Sequence, residues 1–309
     1  MARHVLVTGA AGFIGSHLAC ALVSEGHAVR VVDNFSTGSI ENLRPVLDRI
    51  QLLTGDLSDP GLALEACRDI ECVFHHSALP SVPASIQDPF ATQRSGETAT
   101  LRLLDACVAR KVRRVILAAS ASAYGDNETL PHAESMRPDP LNPYAASKLA
   151  CEHYLSAFAR CHGLDGVALR YFNVFGPGQP SDSSYSGVIS MFLFRMLNGE
   201  RPVIYGDGNQ TRDFTYVDNV VHANMLAMNC PSQLHGRVFN VGCGERISVK
   251  DLLAELNAAL GTQLEPTFAP VRPVDPRHSV ADISLAREVL GYAPVVAFRD
   301  GIKRLVIGH

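Results

Sequence analysis

The chain has 309 residues, 47% hydrophobic and 19% charged, enough apolar material for one large α/β domain or for a domain with a smaller cap. That balance excludes a disordered chain, and a net charge of −4 leaves no basic footprint for nucleic acid or for an acidic membrane surface. Eight scattered cysteines form no CxxC or Cys/His pair at ligand spacing, and the adjacent His75 and His76 point to opposite sides of a strand, so no metal site is expected. Buried free thiols imply a reducing compartment. With no leader and no spanning apolar run visible, the expected location is the cytoplasm.

Short apolar runs at 4–8, 28–33, 50–54, 72–75, 115–119 and 167–171 alternate with helical patterns at 13–24, 61–67, 90–109 and 144–161. Near-continuous Val/Ile/Leu runs are what parallel strands covered on both faces require, so the first half is predicted to form βαβ units. After Tyr171 the texture changes. A Gly/Pro/Ser-rich loop at 176–187 precedes a helix at 188–198, a strand at 203–205, the turn Gly206-Asp207-Gly208-Asn209 and a strand at 214–217. Helices are expected at 217–228, 249–260 and 283–290, and the proline-rich segment 270–276 reads as a constrained loop near a ligand. The predicted architecture is α/β. A Rossmann-type doubly wound parallel sheet spans 1–172, with 214–241 returning to it, and a smaller C-terminal substrate-binding cap is built from 173–213 and 242–309.

Gly9, Gly12 and Gly15, with Phe13 and Ile14 between the last two, follow the first strand and open a helix. Glycines so spaced permit a tight turn, close approach of backbone N–H groups to a pyrophosphate, and close helix–strand packing. Asp33 ends the second strand, where a carboxylate can accept both ribose hydroxyls and would repel a 2′-phosphate. The pattern therefore points to NAD rather than NADP. Asp56, after the third strand, is placed at the adenine edge, its alternative role being a cap for the helix after Pro60.

Tyr144 and Lys148 stand four residues apart at the start of a helical pattern, so phenol and ammonium share a face. An ammonium at about 5 Å, with an effective dielectric of about 20, stabilises a phenolate by roughly 3 kcal/mol. An oxidised nicotinamide adds a contribution of the same sign, so Tyr144 is the candidate general base. Ser120 closes the fifth strand, where a hydroxyl faces the crevice in which parallel sheets bind ligands; Ser122 shares its side by strand parity, so the two are not ranked.

In chain order, the segments TGAAGFIGSHL, VVDNFSTG, GDL, HHSALPSVPASIQDP, AASASAYG, NPYAASK, RYFNVFGPGQ, GDGNQTRDFTYVDNV and RPVDPRHSVADIS resemble the extended short-chain dehydrogenase/reductase family in its nucleotide-sugar epimerase branch. The resemblance implies that Ser120, Tyr144 and Lys148 are catalytic. It places NAD contacts at Gly9, Phe13, Ile14, Asp33, Asn34, Ser36, Thr37, Gly38, Asp56, Leu57, Ser77, Tyr144 and Lys148, with backbone contacts at Tyr171 and Phe172. It places a UDP-sugar against Asn173, Val188, Val203, Tyr205, Arg212, Arg272 and Asp275, the two guanidinium groups suiting a diphosphate. Ser95 departs from the family pattern, standing where members often carry an Asn that touches the cofactor.

Dehydratases of this family resemble a Thr-Asp-Glu run and decarboxylases a Ser-Glu pair, whereas Ala121 and Ser122 follow Ser120 here, with no acid for water loss. The resemblance therefore implies inversion of C4 of a UDP-hexose through a transient 4-keto sugar. Ser279 occupies the position that limits room at C2 in the family, and a small residue there implies that UDP-N-acetylglucosamine is accepted as well as UDP-glucose. A UDP-glucuronate epimerase or another oxidoreductase on the same scaffold is the alternative, and a non-catalytic NAD-binding regulator a remote one. Helices 90–109 and 144–161 resemble those that form a homodimer in the family.

Overall fold

The computed structural model describes residues 2–180, 187–271 and 276–308. In chain order the elements are β1 (His4–Thr8), α1 (Phe13–Ser24), β2 (Ala28–Asp33), β3 (Ile50–Thr54), α2 (Pro60–Ala66), β4 (Cys72–His75), α3 (Val82–Gln87), α4 (Pro89–Gln93), α5 (Ala99–Arg110), β5 (Arg114–Ser120), α6 (Pro143–His162) and β6 (Asp165–Tyr171). They continue with β7 (Val174–Phe175), α7 (Val188–Leu197), β8 (Val203–Tyr205), β9 (Thr211–Arg212), β10 (Thr215–Tyr216), α8 (Val217–Asn229), β11 (Arg237–Val241), β12 (Ile247–Ser248), α9 (Val249–Leu260), β13 (Thr267–Ala269), α10 (Ser284–Leu290) and α11 (Phe298–Ile307).

Seven strands form one parallel sheet in the order β11-β6-β5-β4-β1-β2-β3. The order reverses between β1 and β4, which opens a crevice beyond their carboxyl ends. Side-chain alternation sorts each strand onto two faces: Val5 and Val7 join the core with α1 and α8, while Leu6 joins the core with α2, α5 and α6. A third core, with Phe175, Phe192, Phe214, Leu252, Leu256, Phe298 and Leu305, lies beyond the sheet among α7, α9 and α11.

Three expectations change. The helix foreseen over 90–109 is α4, a π-helical stretch Arg94–Thr98, and α5. The stretch brings Gly96 against α6, where an added Cβ would collide with Ser147 Oγ. The strand foreseen over 214–217 is confined to Thr215–Tyr216. The parity argument for Ser122 fails because β5 ends at Ser120 and Ala121–Tyr124 is a 3-10 turn.

Candidate active site

A cavity of ≈ 710 Å³ opens at the carboxyl ends of β1 to β6. Gly9, Gly12, Phe13, Ile14 and Gly15 form one wall at the start of α1, whose first N–H groups have no intrahelical acceptor. Gly9, at φ +64°, has no room for a side chain, because a Cβ would lie 2.8 Å from the backbone carbon of His76 and the nitrogen of Ser77. Only glycine lets this loop lie so close to the end of β4.

Asp33, Asn34, Ser36 and Thr37 continue the wall after β2, and Asp56 and Leu57 after β3. The Asp33 carboxylate accepts from Ala11 N at 2.8 Å and from Phe35 N at 2.8 Å, joining the glycine loop to β2. Asp56 caps no helix: its Oδ1 accepts from Ser58 N, and Asp59 is the residue that caps α2. Gly38 is not on this wall but packs beneath it, where a Cβ would lie 2.6 Å from the Ala11 carbonyl.

α6 starts with Asn142, whose Oδ1 accepts from Ala145 N at 2.9 Å, and with Pro143 in its first turn. That cap sets Tyr144 and, one turn later, Lys148 on the cavity wall together with Ser120. Lys148 Nζ donates to the Ala118 carbonyl at 2.9 Å, spending one of its three hydrogens on β5. Ser120 Oγ accepts from Ser122 Oγ at 2.8 Å and from Ser122 N at 3.2 Å. With two donors already on that oxygen, the Ser120 hydroxyl hydrogen is left to donate elsewhere. Ser122 itself is off the wall and supports Ser120 from behind.

Ser77 and Ser95 line the cavity, Ser95 from the π-helical stretch, with its hydroxyl donating to Thr92 O at 3.2 Å. Tyr171 and Asn173 line it from the end of β6, and Asn173 is held at φ +28°. Phe172, Val188, Val203, Tyr205, Arg212 and Ser279 are not among the residues lining this cavity. The Arg212 guanidinium is held by backbone, its Nη1 donating to the Thr211 carbonyl at 2.9 Å and to the Arg277 carbonyl at 3.2 Å. Arg272 and Asp275 lie outside the described residues.

Sequence reasoning missed His76, Gly55 and the stretch Ala78, Leu79, Pro80 and Ser81, all on the wall. The signal was available for His76, since it directly follows a strand at the switch point. The two histidines do face opposite ways. His75 lies between Thr8 Oγ1 at 2.7 Å and Thr100 Oγ1 at 2.9 Å, whereas His76 Nε2 is 3.1 Å from the Tyr171 hydroxyl. Burial, with the Lys148 ammonium adding to it, pushes both imidazoles down to about 3. Burial also pushes the Tyr171 phenol up, so it stays protonated between His76 Nε2 and Asn224 Nδ2, which donates to it at 2.9 Å. Among the described residues no cluster of side chains is arranged to hold a metal ion.

The chain matches the NAD dependent epimerase/dehydratase family over residues 5–242. It is 38% identical over 305 residues to a UDP-glucose 4-epimerase of Mycolicibacterium smegmatis, covering 97% of this chain and 96% of that one. Among solved structures, UDP-N-acetylglucosamine 4-epimerase from Methanobrevibacter ruminantium M1, in complex with UDP-N-acetylmuramic acid, is similar with a TM-score of 0.95 at 38% identity, over 99% of this chain and 98% of that one. UDP-glucose 4-epimerase from Thermotoga maritima, with UDP-glucose, has a TM-score of 0.94 at 37% identity over the same shares, 99% and 98%. The chain belongs to the NAD dependent epimerase/dehydratase family. Within that family it is an NAD-dependent epimerase.

Proposed function

We propose that this NAD-dependent UDP-sugar 4-epimerase takes both UDP-N-acetylglucosamine and UDP-glucose, interconverting each with its C4 epimer. What supports the substrate choice is Ser279, a small side chain at the position that the family resemblance sets beside C2. Its backbone N–H is pinned to the Thr211 carbonyl at 3.1 Å, which ties it to the segment carrying Arg212.

The cavity fits the adenosine diphosphate half of the cofactor, with a glycine loop at a helix start for the pyrophosphate and the Asp33 carboxylate for the ribose. When bound, the dinucleotide would supply the acceptor and then the donor for the C4 hydride. The protein's part is proton transfer and grip. Tyr144 takes the C4 hydroxyl proton and later gives it back. Ser120, its oxygen occupied by two donors from Ser122, directs its own hydrogen toward the reacting oxygen. Lys148, fixed to β5 through Ala118, stabilises the phenolate with its remaining hydrogens and charge. Presenting both faces of C4 requires the hexose to swing while the nucleotide stays held, a task that suits the guanidinium fork of Arg212. Residues 1–172 with 214–241 are assigned the cofactor, and 173–213 with 242–309 the nucleotide sugar.

Purified protein incubated separately with UDP-glucose, UDP-N-acetylglucosamine and UDP-glucuronate, with products resolved by NMR, tests this. C4-inverted product from the first two, without accumulating NADH, is expected. Sustained stoichiometric NADH release, or turnover of UDP-glucuronate alone, would sink it.

A further inference from the structure

Beside Arg212, Asp213 is fully buried, and its carboxylate ties together loops far apart in the chain. Oδ1 accepts from Cys243 N at 2.8 Å, and Oδ2 from Gly244 N at 2.9 Å and Ala281 N at 3.1 Å. Its own carbonyl accepts from Asn173 Nδ2 at 3.3 Å, so the main chain at this point also reaches the cavity wall. Packing leaves no slack, because a Cβ at Gly242 would lie 2.7 Å from Asp213 Oδ2 and 2.8 Å from Ala281 Cβ. Burial pushes the carboxyl up to about 6 even against three N–H donors that pull it down. A buried carboxylate is costly unless fully hydrogen-bonded, and these three bonds are what hold it there.

Two of the segments so joined, those of Arg212 and Ser279, carry proposed nucleotide-sugar contacts. Arg212, the last residue of β9, directly precedes Asp213, and β9 pairs with β12 just beyond Gly244. Ser279 stands two residues before Ala281, and its strand-like segment bridges Thr211 through His278. We propose that Asp213 is the positioning residue for UDP binding, fixing the Arg212 segment against the 279–281 segment so that the diphosphate grip and the C2 wall keep one spacing. This rests on the UDP-sugar reading above. The side chain serves the nucleotide side and the backbone carbonyl serves Asn173, so replacing the side chain is expected to weaken binding more than the chemical step.

The test measures UDP binding by calorimetry, KM and kcat for UDP-glucose, cofactor content and Tm for wild type and Asp213→Asn. Asparagine preserves the shape but turns an –NH₂ donor toward the N–H groups of Gly244 or Cys243. UDP affinity is expected to fall by about tenfold or more, the scale of one charge-assisted hydrogen bond, with KM rising in step while kcat and bound cofactor stay near wild type. Equal UDP affinity, even with a lower Tm, would overturn the assignment and leave Asp213 a purely structural residue. Wild-type protein that fails to bind UDP would overturn the nucleotide-sugar reading and this inference with it. If Asp213→Asn does not fold, Gly242→Ala presses on the same carboxylate: the same loss of UDP affinity is expected, and wild-type affinity contradicts the proposal.

Discussion

At the end of β2 the Asp33 carboxylate spends one lone pair of each oxygen on Ala11 N and Phe35 N, and the rest of its acceptor capacity faces the cavity. Asparagine at this position keeps one good acceptor and removes the negative charge. Asp33→Asn is therefore expected to weaken NAD binding by about tenfold or more and to narrow the gap between NAD and NADP, both read by equilibrium dialysis. An unchanged NAD affinity and an unchanged preference would remove Asp33 from the ribose site. Residues whose chemistry is local were legible in the sequence: Gly9, Asp33, Ser120, Tyr144 and Lys148 all line one cavity. Ser122 was not separable from Ser120, because nothing in the letters showed that strand alternation stops one residue earlier. His76 lines the cavity because it directly follows β4, a placement that two adjacent histidines do not by themselves spell out.

The element that presents Tyr144 and Lys148 is anchored by the next inward turn of the same helix. Glu152 meets Arg170 of β6 in a two-pronged pair, Nε to Oε1 at 2.9 Å and Nη2 to Oε2 at 2.7 Å, with both side chains buried. The guanidinium also lies 4.7 Å from the Tyr124 ring centre. Removing one partner of such a pair strands a buried charge, at a cost of about 3–5 kcal/mol, whereas replacing both by apolar residues recovers much of it. Arg170→Met is expected to lose about that much stability in denaturant unfolding, and Glu152→Met/Arg170→Met distinctly less. A double variant at least as unstable as the single one would show that the pair holds α6 by more than mutual neutralisation.

Elements with strong periodicity were readable, and β1 to β4 coincide with their expected bounds. α11 was not foreseen. Its Gly301 argues against a helix by propensity, yet it is required, since a Cβ there would lie 2.8 Å from the Phe175 ring. Burial of Phe298, Ile302 and Leu305 on one face outweighs that propensity. The 3-10 segment Ile40–Arg49, interrupted by Pro45, carries too little helical pattern to be read in advance.

Across the whole molecule, the buried histidines and Asp213 make stability depend on pH with opposite signs. His75 and His76 have folded values of about 3, below the unfolded value of about 6.5, so their contribution is complete above 6.5 and is lost as pH falls. Asp213, raised to about 6, works the other way, stabilising the fold as pH drops toward the unfolded carboxylate value. Each of these three groups contributes about 1.4 kcal/mol per pH unit, so between pH of about 4 and 6 the two imidazoles lose more than Asp213 gains, while burial lowers His132 and raises Glu134, adding one change of each sign. Tm is expected to fall as pH is lowered through that window, and less steeply in His76→Leu. A Tm that holds flat or rises on acidification would contradict the buried neutral imidazoles. The sheet and its switch point were legible at this scale, because covered parallel strands write themselves as apolar runs. The arrangement beyond Tyr171 was less so, being built from two-residue strands and long-range hydrogen bonds such as those of Asp213.

Central to the account is proton transfer by the Tyr144 phenol while hydride moves between C4 and the bound dinucleotide. The most direct measurement is the rate of C4 inversion by cofactor-loaded Tyr144→Phe, followed by NMR beside the wild type on the same UDP-hexose. A fall of about 10²–10⁴-fold with cofactor retained is predicted, the scale of a lost general base. Inversion at the wild-type rate would contradict it.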